Sequence, residues 1–135
     1  MTKILLDSNV WISFLMRKDS QHNKALNIVL SLDFENVFMH DFLLLEIVSV
    51  LRLRTNAKFA AQALNYIVDL DIKDLNIQDA QSYVEHAKDL ALQSKYPKLS
   101  FVDLFLLSAS KKYEVITFDK SLKRAIGSYG KKRSK

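Results

Sequence analysis

Cysteine is missing from this chain, which excludes disulfide cross-links, thiolate metal sites and a cysteine nucleophile. Glycine is nearly missing: the two present, Gly127 and Gly130, stand close to the C-terminus. A phosphate-cradling loop of the Walker or G-x-G-x-x-G kind needs glycines just after an early strand, so nucleotide binding through such loops is excluded. The single proline, Pro97, leaves no proline-rich linker. Long apolar runs are absent too, none approaching the roughly 18 residues of a membrane span. The start, Met1-Thr2-Lys3, meets just three apolar residues before Asp7, so no secretory leader is read. The expectation is a cytoplasmic protein without a membrane partner. The three histidines, His22, His40 and His86, share no ligand-like spacing, which argues against zinc.

What is present can build a real core. With 135 residues, 49% of them hydrophobic and 26% charged, the composition is that of one soluble globular domain. The net charge of +5 is lopsided: residues 111–135 hold nine basic and two acidic side chains, a local +7, so the rest carries −2. A basic end beside an acidic body attracts polyanions such as nucleic acid. We assign residues 1–130 to the domain and 131–135 to a basic tail, for which plain solvation is the simpler reading.

Short apolar strands alternate with amphipathic helices. Strands are expected at Lys3 to Asp7, Asn36 to His40, more weakly Asp74 to Ile77, and Glu114 to Asp119. Helices are expected at Val10 to Met16, after a Ser20 cap, from an Asp41 cap to about Arg54, and over Lys58 to Leu70. Others run from Asp79 to about Ser94, from a Ser100 opening to about Lys112, and briefly from Lys120 to near Gly127. This alternation predicts an α/β fold, a parallel sheet of about four to five strands covered on both faces, with ligands at the carboxyl ends of its strands.

Four acids interrupt that apolar pattern. Asp7 ends Ile4-Leu5-Leu6, Glu46 breaks Phe42 to Val48, Asp103 lies within Phe101 to Leu107, and Asp119 closes Val115 to Phe118. An ionised carboxylate is costly to bury without a partner. Each has an innocent explanation: Ser100-x-x-Asp103 reads as a capping box, Asp119 could cap the next helix and pair with Lys123, Asp7 could cap the helix after it, and Glu46 could lie on a helix flank. Jointly, four acids from four apolar elements point to one shared site suited to a hard divalent cation.

The order Asp7-Ser8-Asn9, Glu46 in a leucine-rich helix, Ser100-Phe101-Val102-Asp103 and Thr117-Phe118-Asp119 resembles the PIN-domain family, and most closely its compact VapC-type ribonuclease toxins. The resemblance spans almost the whole chain. It implies a three-layer α/β/α, Rossmann-like domain. It implies that Asp7, Glu46, Asp103 and Asp119 form a catalytic cluster holding Mg²⁺ or Mn²⁺, with Ser8, Asn9 and Thr117 supporting it. It also implies an RNA substrate, a cognate antitoxin and a homodimer. Family members often end in a further strand, where this chain has Gly127-Ser128-Tyr129-Gly130 and lysines.

Metal-assisted hydrolysis of a phosphodiester needs an activated water, an oriented phosphate and neutralised charge. Asp7 and Asp103 are the expected inner ligands; Glu46 and Asp119 are expected to act through water or a second ion. Lys120, Lys123 and Arg124, beside Asp119, are the leading RNA-backbone candidates, with Arg52, Arg54, Lys111 and Lys112 behind them. Trp11 is expected in the core. Alternatives are a PIN nuclease of housekeeping RNA processing and a non-catalytic RNA-binding or scaffold module. An aspartate-based phosphatase would need a second Asp two residues after Asp7, where Asn9 stands.

Overall fold

The computed structural model describes residues 2–133. Met1 and the last two residues of the basic tail lie outside the described residues, as do the side chains from Gly130 onward. Strands β1 (Ile4–Leu6), β2 (Val37–Met39), β3 (Lys73–Asp74) and β4 (Glu114–Ile116) form one parallel sheet in the order β3-β2-β1-β4. The central strand β1 pairs on both sides, Leu5 facing Phe38 and Val115. Its three residues are all buried, which is why it reads as an unbroken apolar run.

Among the described residues seven α-helices cover the sheet: α1 (Ser8–Leu15), α2 (His22–Leu30), α3 (Asp41–Arg54), α4 (Ala57–Asp69), α5 (Ile77–Leu92), α6 (Phe101–Ala109) and α7 (Lys120–Arg133). Helices α1 to α4 pack in succession, α1 on α2 and α3, and α3 on α4; α5 packs on α6, and α6 on α7. The path from β1 to β3 moves one way across the sheet and the return to β4 moves the other. Right-handed crossovers therefore put the two groups on opposite faces. The core is built from Leu5, Trp11, Leu43, Ile47, Leu51, Leu104, Leu106, Leu107 and Leu122, all essentially inaccessible. Trp11 is thus a core residue, stacked edge-on against Phe14.

Several boundaries differ from the sequence reading, each for a local reason. Helix α2 has no Ser20 cap: it starts at His22, behind a turn in which Asp19 accepts the Gln21 N–H at 2.9 Å and the Ser13 hydroxyl at 3.0 Å. The α3 cap is His40, whose Nδ1 accepts the Phe42 N–H, and Asp41 sits inside the first turn. Strand β3 stops at Asp74 because the Asn76 side chain takes the N–H groups of Gln78 and Asp79 and starts α5 at Ile77. Helix α6 ends at Ala109, short of Lys112. Helix α7 continues through Gly127 to Arg133. Glycine in a helix interior costs about 1 kcal/mol relative to alanine, too little to stop a helix whose other residues agree.

All four strands point the same way, so Asp7, His40, Leu75 and Thr117 lie at one edge. Helices α1 and α3 start there. Helix α6 runs back toward the start of β4, which brings its first turn, with Asp103, to that same edge.

Candidate active site

Asp7 follows β1 directly and is buried, 5% exposed. Its Oδ1 accepts the Ser8 N–H at 2.7 Å and its Oδ2 accepts the Thr117 hydroxyl at 2.8 Å. Thr117 follows β4 and is itself buried. Its oxygen accepts the Asp119 N–H at 3.0 Å and the Asn9 amide at 3.2 Å, while Asn9 Oδ1 accepts the Phe118 N–H at 3.2 Å. A hydroxyl has one proton and two lone pairs. With both lone pairs engaged, the Thr117 proton has one destination, the Asp7 carboxylate. Thr117 and Asn9 thus lock the ends of β1 and β4 together.

Burial pushes the Asp7 carboxyl up to about 6 from 3.8, against the pull of the Thr117 and Ser8 bonds, and the nearby charges of Asp103 and Glu46 push it further. Those two acids come from the two helix layers, on α6 and α3, so three elements bring negative charge to the same edge. Asp119 joins through Thr117, and its Oδ1 accepts the Leu122 N–H at 3.0 Å, capping α7. The Asp119–Lys123 ion pair of the innocent alternative is not formed, and none of the four acids makes a salt bridge among the described residues. Asp103 forms the expected capping box: its Oδ2 accepts the Ser100 N–H at 3.0 Å while its own N–H donates to Ser100 Oγ at 3.1 Å.

The acids share an edge without converging on one point. Among the described residues no three His, Asp or Glu side chains stand close enough to hold a single ion. The donor chemistry nevertheless fits a hard divalent cation. Every candidate ligand is an oxygen, no base among the described residues offsets the charge on Asp7, and a cation is what would relieve its burial. Asp7 Oδ2 keeps a free lone pair beside its Thr117 bond, while the second acceptor position of Oδ1 holds only a long 3.5 Å contact from the Ser8 hydroxyl.

The basic candidates divide. Lys120, Lys123 and Arg124 are exposed on the first turns of α7, next to Asp119. Arg52 is exposed on the last turn of α3, two turns from Glu46. Arg54 pairs with Asp19 at 3.3 Å and Lys112 with Asp79 at 2.8 Å, so both have structural duties. Lys111 lies over the Tyr129 ring, 5.5 Å from its centroid. One basic residue that the sequence reading missed is Lys24 on α2, whose Nζ stands 5.1 Å from the Phe118 ring centroid. Nothing local to Lys24 distinguishes it, because the contact spans 94 positions. His86, which burial and Lys111 hold below its usual value, bonds the Tyr129 hydroxyl at 2.9 Å and plays no part in the edge.

Known proteins give the arrangement a lineage. The solved structure of the toxin VapC20 from Mycobacterium tuberculosis, described as sarcin-ricin loop cleaving, superposes with a TM-score of 0.75. The match covers 91% of this chain and 95% of that one at 19% sequence identity. The shared fold therefore survives where most side chains differ. No curated protein sequence matches this chain. A family model for the PIN domain matches residues 4–127, from the first residue of β1 to the middle of α7. Every strand and all the acids at the carboxyl edge fall within that span, and the chain belongs to the PIN domain family.

Proposed function

We propose that the protein is a Mg²⁺- or Mn²⁺-dependent endoribonuclease and the toxin of a VapC-like toxin–antitoxin pair. The observation that carries the reading is Asp7: a buried carboxylate at a strand end, burdened by two further acids from separate elements and matched by no base among the described residues. Family membership and the likeness to a cleaving toxin support it. Asp7 and Asp103 would hold the ion directly, with Glu46 and Asp119 completing the acidic set and orienting the attacking water. A divalent ion bound there supplies Lewis-acid neutralisation of the phosphate and a water acidified toward neutral pH. Ser8 and Thr117 hold the Asp7 oxygens, and Asn9 and Thr117 hold the backbone of Phe118 and Asp119, so the site loses little order when substrate arrives. Helices α1 and α3 both start at this edge, and their N-termini add partial positive charge where the phosphate must approach.

A cytoplasmic location, a homodimer and a cognate antitoxin belong to the same proposal. Among the described residues no helix is long and apolar enough to cross a membrane. Leu45 and Leu53 on α3, and Tyr66 and Val68 on α4, are exposed and offer apolar surface for a protein partner. The test is cleavage of RNA with added Mg²⁺ or Mn²⁺. Activity should vanish in excess EDTA and in Asp7→Asn, with the fold unchanged by circular dichroism. Undiminished cleavage in either condition refutes the metal mechanism, and normal growth on overexpression refutes the toxin assignment.

A further inference from the structure

A pocket opens at the free edge of β4, between α2 and α7, and it is not part of the acidic cluster. Lys24 and Ile28 wall it on one side, Lys123 and Ile126 on the other, with Val115, Ile116, Thr117 and Phe118 between them. Its volume is about 180 Å³. Among the described residues strand β4 ends the sheet. The Glu114 N–H donates to Lys3 and the Ile116 carbonyl accepts from Asp7, both toward β1. By strand alternation the Val115 backbone groups face the pocket. The rim is cationic: neither Lys24 nor Lys123 makes a salt bridge among the described residues. The floor is aliphatic, and the Phe118 ring beside Lys24 offers an aromatic surface.

Its position matters most. Thr117 lines this pocket and donates its hydroxyl proton to Asp7, so one residue separates the pocket from the acid that carries the proposed chemistry. An anionic chain crossing the carboxyl edge would pass from one to the other. We propose that the β4-edge pocket is a substrate-positioning subsite for single-stranded RNA. Lys24 and Lys123 hold a backbone phosphate flanking the scissile one, and the aliphatic floor with Phe118 receives the adjoining base. This rests on the ribonuclease reading. Lys24 and Lys123 act here as positioning residues: they hold the strand and touch no reacting atom. Continuity with Asp7 favours RNA over an acidic peptide added to the β4 edge, which would have no reason to end beside the acids. Stacking on an aromatic face tolerates any base, so the subsite would confer register more than sequence choice.

The test uses Lys24→Met and Lys123→Met, which remove charge and keep the aliphatic stems. Binding of a short, mixed-sequence single-stranded RNA is measured by fluorescence anisotropy in the Asp7→Asn background. Cleavage is measured in the otherwise unaltered chain. The double substitution should weaken binding by roughly tenfold. It should flatten the slope of log affinity against log salt by about 1.4, the value for two lost single-strand phosphate contacts. KM should rise by a similar factor with little change in kcat, and Lys24→Arg with Lys123→Arg should restore both. An unchanged slope and affinity would overturn the subsite while leaving cleavage intact. Tighter binding of polyglutamate than of RNA of equal charge would overturn it in favour of a peptide site. Absence of RNA cleavage by the unaltered chain would count against the nuclease reading alone, since the anisotropy arm needs no chemistry.

Discussion

Asp7 carries opposing demands, and its titration exposes them. Raising its carboxyl from 3.8 to about 6 corresponds to on the order of 3 kcal/mol disfavouring the ionised folded form. Because the folded value lies above the unfolded one, Asp7 favours folding in acid. That contribution is full below the unfolded value, fades as pH climbs, and is gone above about 6, where the carboxylate is ionised in place. In EDTA, Asp7→Asn should therefore stabilise the protein at neutral pH by roughly 2 kcal/mol, since one of the two bonds held by Ser8 and Thr117 is lost at about 1 kcal/mol. Below about pH 4 the gain should reverse into a small loss. Urea unfolding at both pH values checks this, and a variant destabilised more at neutral pH than in acid contradicts it. Thr117 offers a second test. Thr117→Val strips the hydroxyl from Asp7, Asn9 and the Asp119 N–H together and should cost about 2–3 kcal/mol in chemical denaturation, with Thr117→Ser recovering most of it. The acids were legible from sequence because a carboxylate in an apolar run is conspicuous. The Asn9–Thr117 link was not readable as a bond, because it spans 108 positions and only the pairing of β1 with β4 creates it.

At the scale of elements, the question is whether an acid terminates a helix or serves the edge. Asp103 does the first visibly, through its reciprocal bonds with Ser100. The two roles separate by substitution. Asp103→Asn keeps an oxygen for the Ser100 N–H and should change stability by less than about 1 kcal/mol while abolishing cleavage. Ser100→Ala removes the cap oxygen and should cost about 1 kcal/mol while leaving cleavage largely intact. Thermal unfolding and an RNA-cleavage assay on both variants decide it; equal loss of activity in the two would make Asp103 a cap and nothing more. Caps also explain which boundaries the sequence showed. Ser100-x-x-Asp103 announces α6 because two side chains cooperate, and α6 begins where it says. Asn76 and His40 were missed for opposite reasons. Asn76 sits within residues that also read as a strand, whereas histidine is a rarer cap than the neighbouring Asp41, yet it is the His40 ring that accepts the Phe42 N–H. Tyr113 and Lys3 show a similar limit: Lys3 lies near the rings of both Phe38 and Tyr113, a contact made by strand pairing that no local pattern announces.

For the whole molecule, topology matters more than any single motif. The order β3-β2-β1-β4 places β1 centrally and reverses direction beside it, so Asp7 lies where helices from both faces of the sheet meet. Alternation of strands and helices made that architecture legible, since a parallel sheet with right-handed crossovers leaves few other arrangements. How far apart the acids would stand was not legible, because it depends on side-chain rotamers and on repulsion between like charges. Glu46 on α3, Asp103 on α6 and Asp7 after β1 feel one another without closing around a point. A divalent cation bound by these residues would join the two helical layers to the sheet, and ligation would then be coupled to global stability. At a free Mg²⁺ or Mn²⁺ concentration 100-fold above the dissociation constant, the folded state should gain about 2.7 kcal/mol. For a domain of this size that corresponds to a rise in Tm of several degrees. The rise should be absent in Asp7→Asn and reduced in Glu46→Gln, a substitution that breaks no salt bridge among the described residues. Ca²⁺, larger and less demanding of octahedral geometry, should stabilise the fold without supporting cleavage. A Tm indifferent to every divalent ion, in a chain that still cleaves RNA, would separate the acids from the metal and force a different account of the edge.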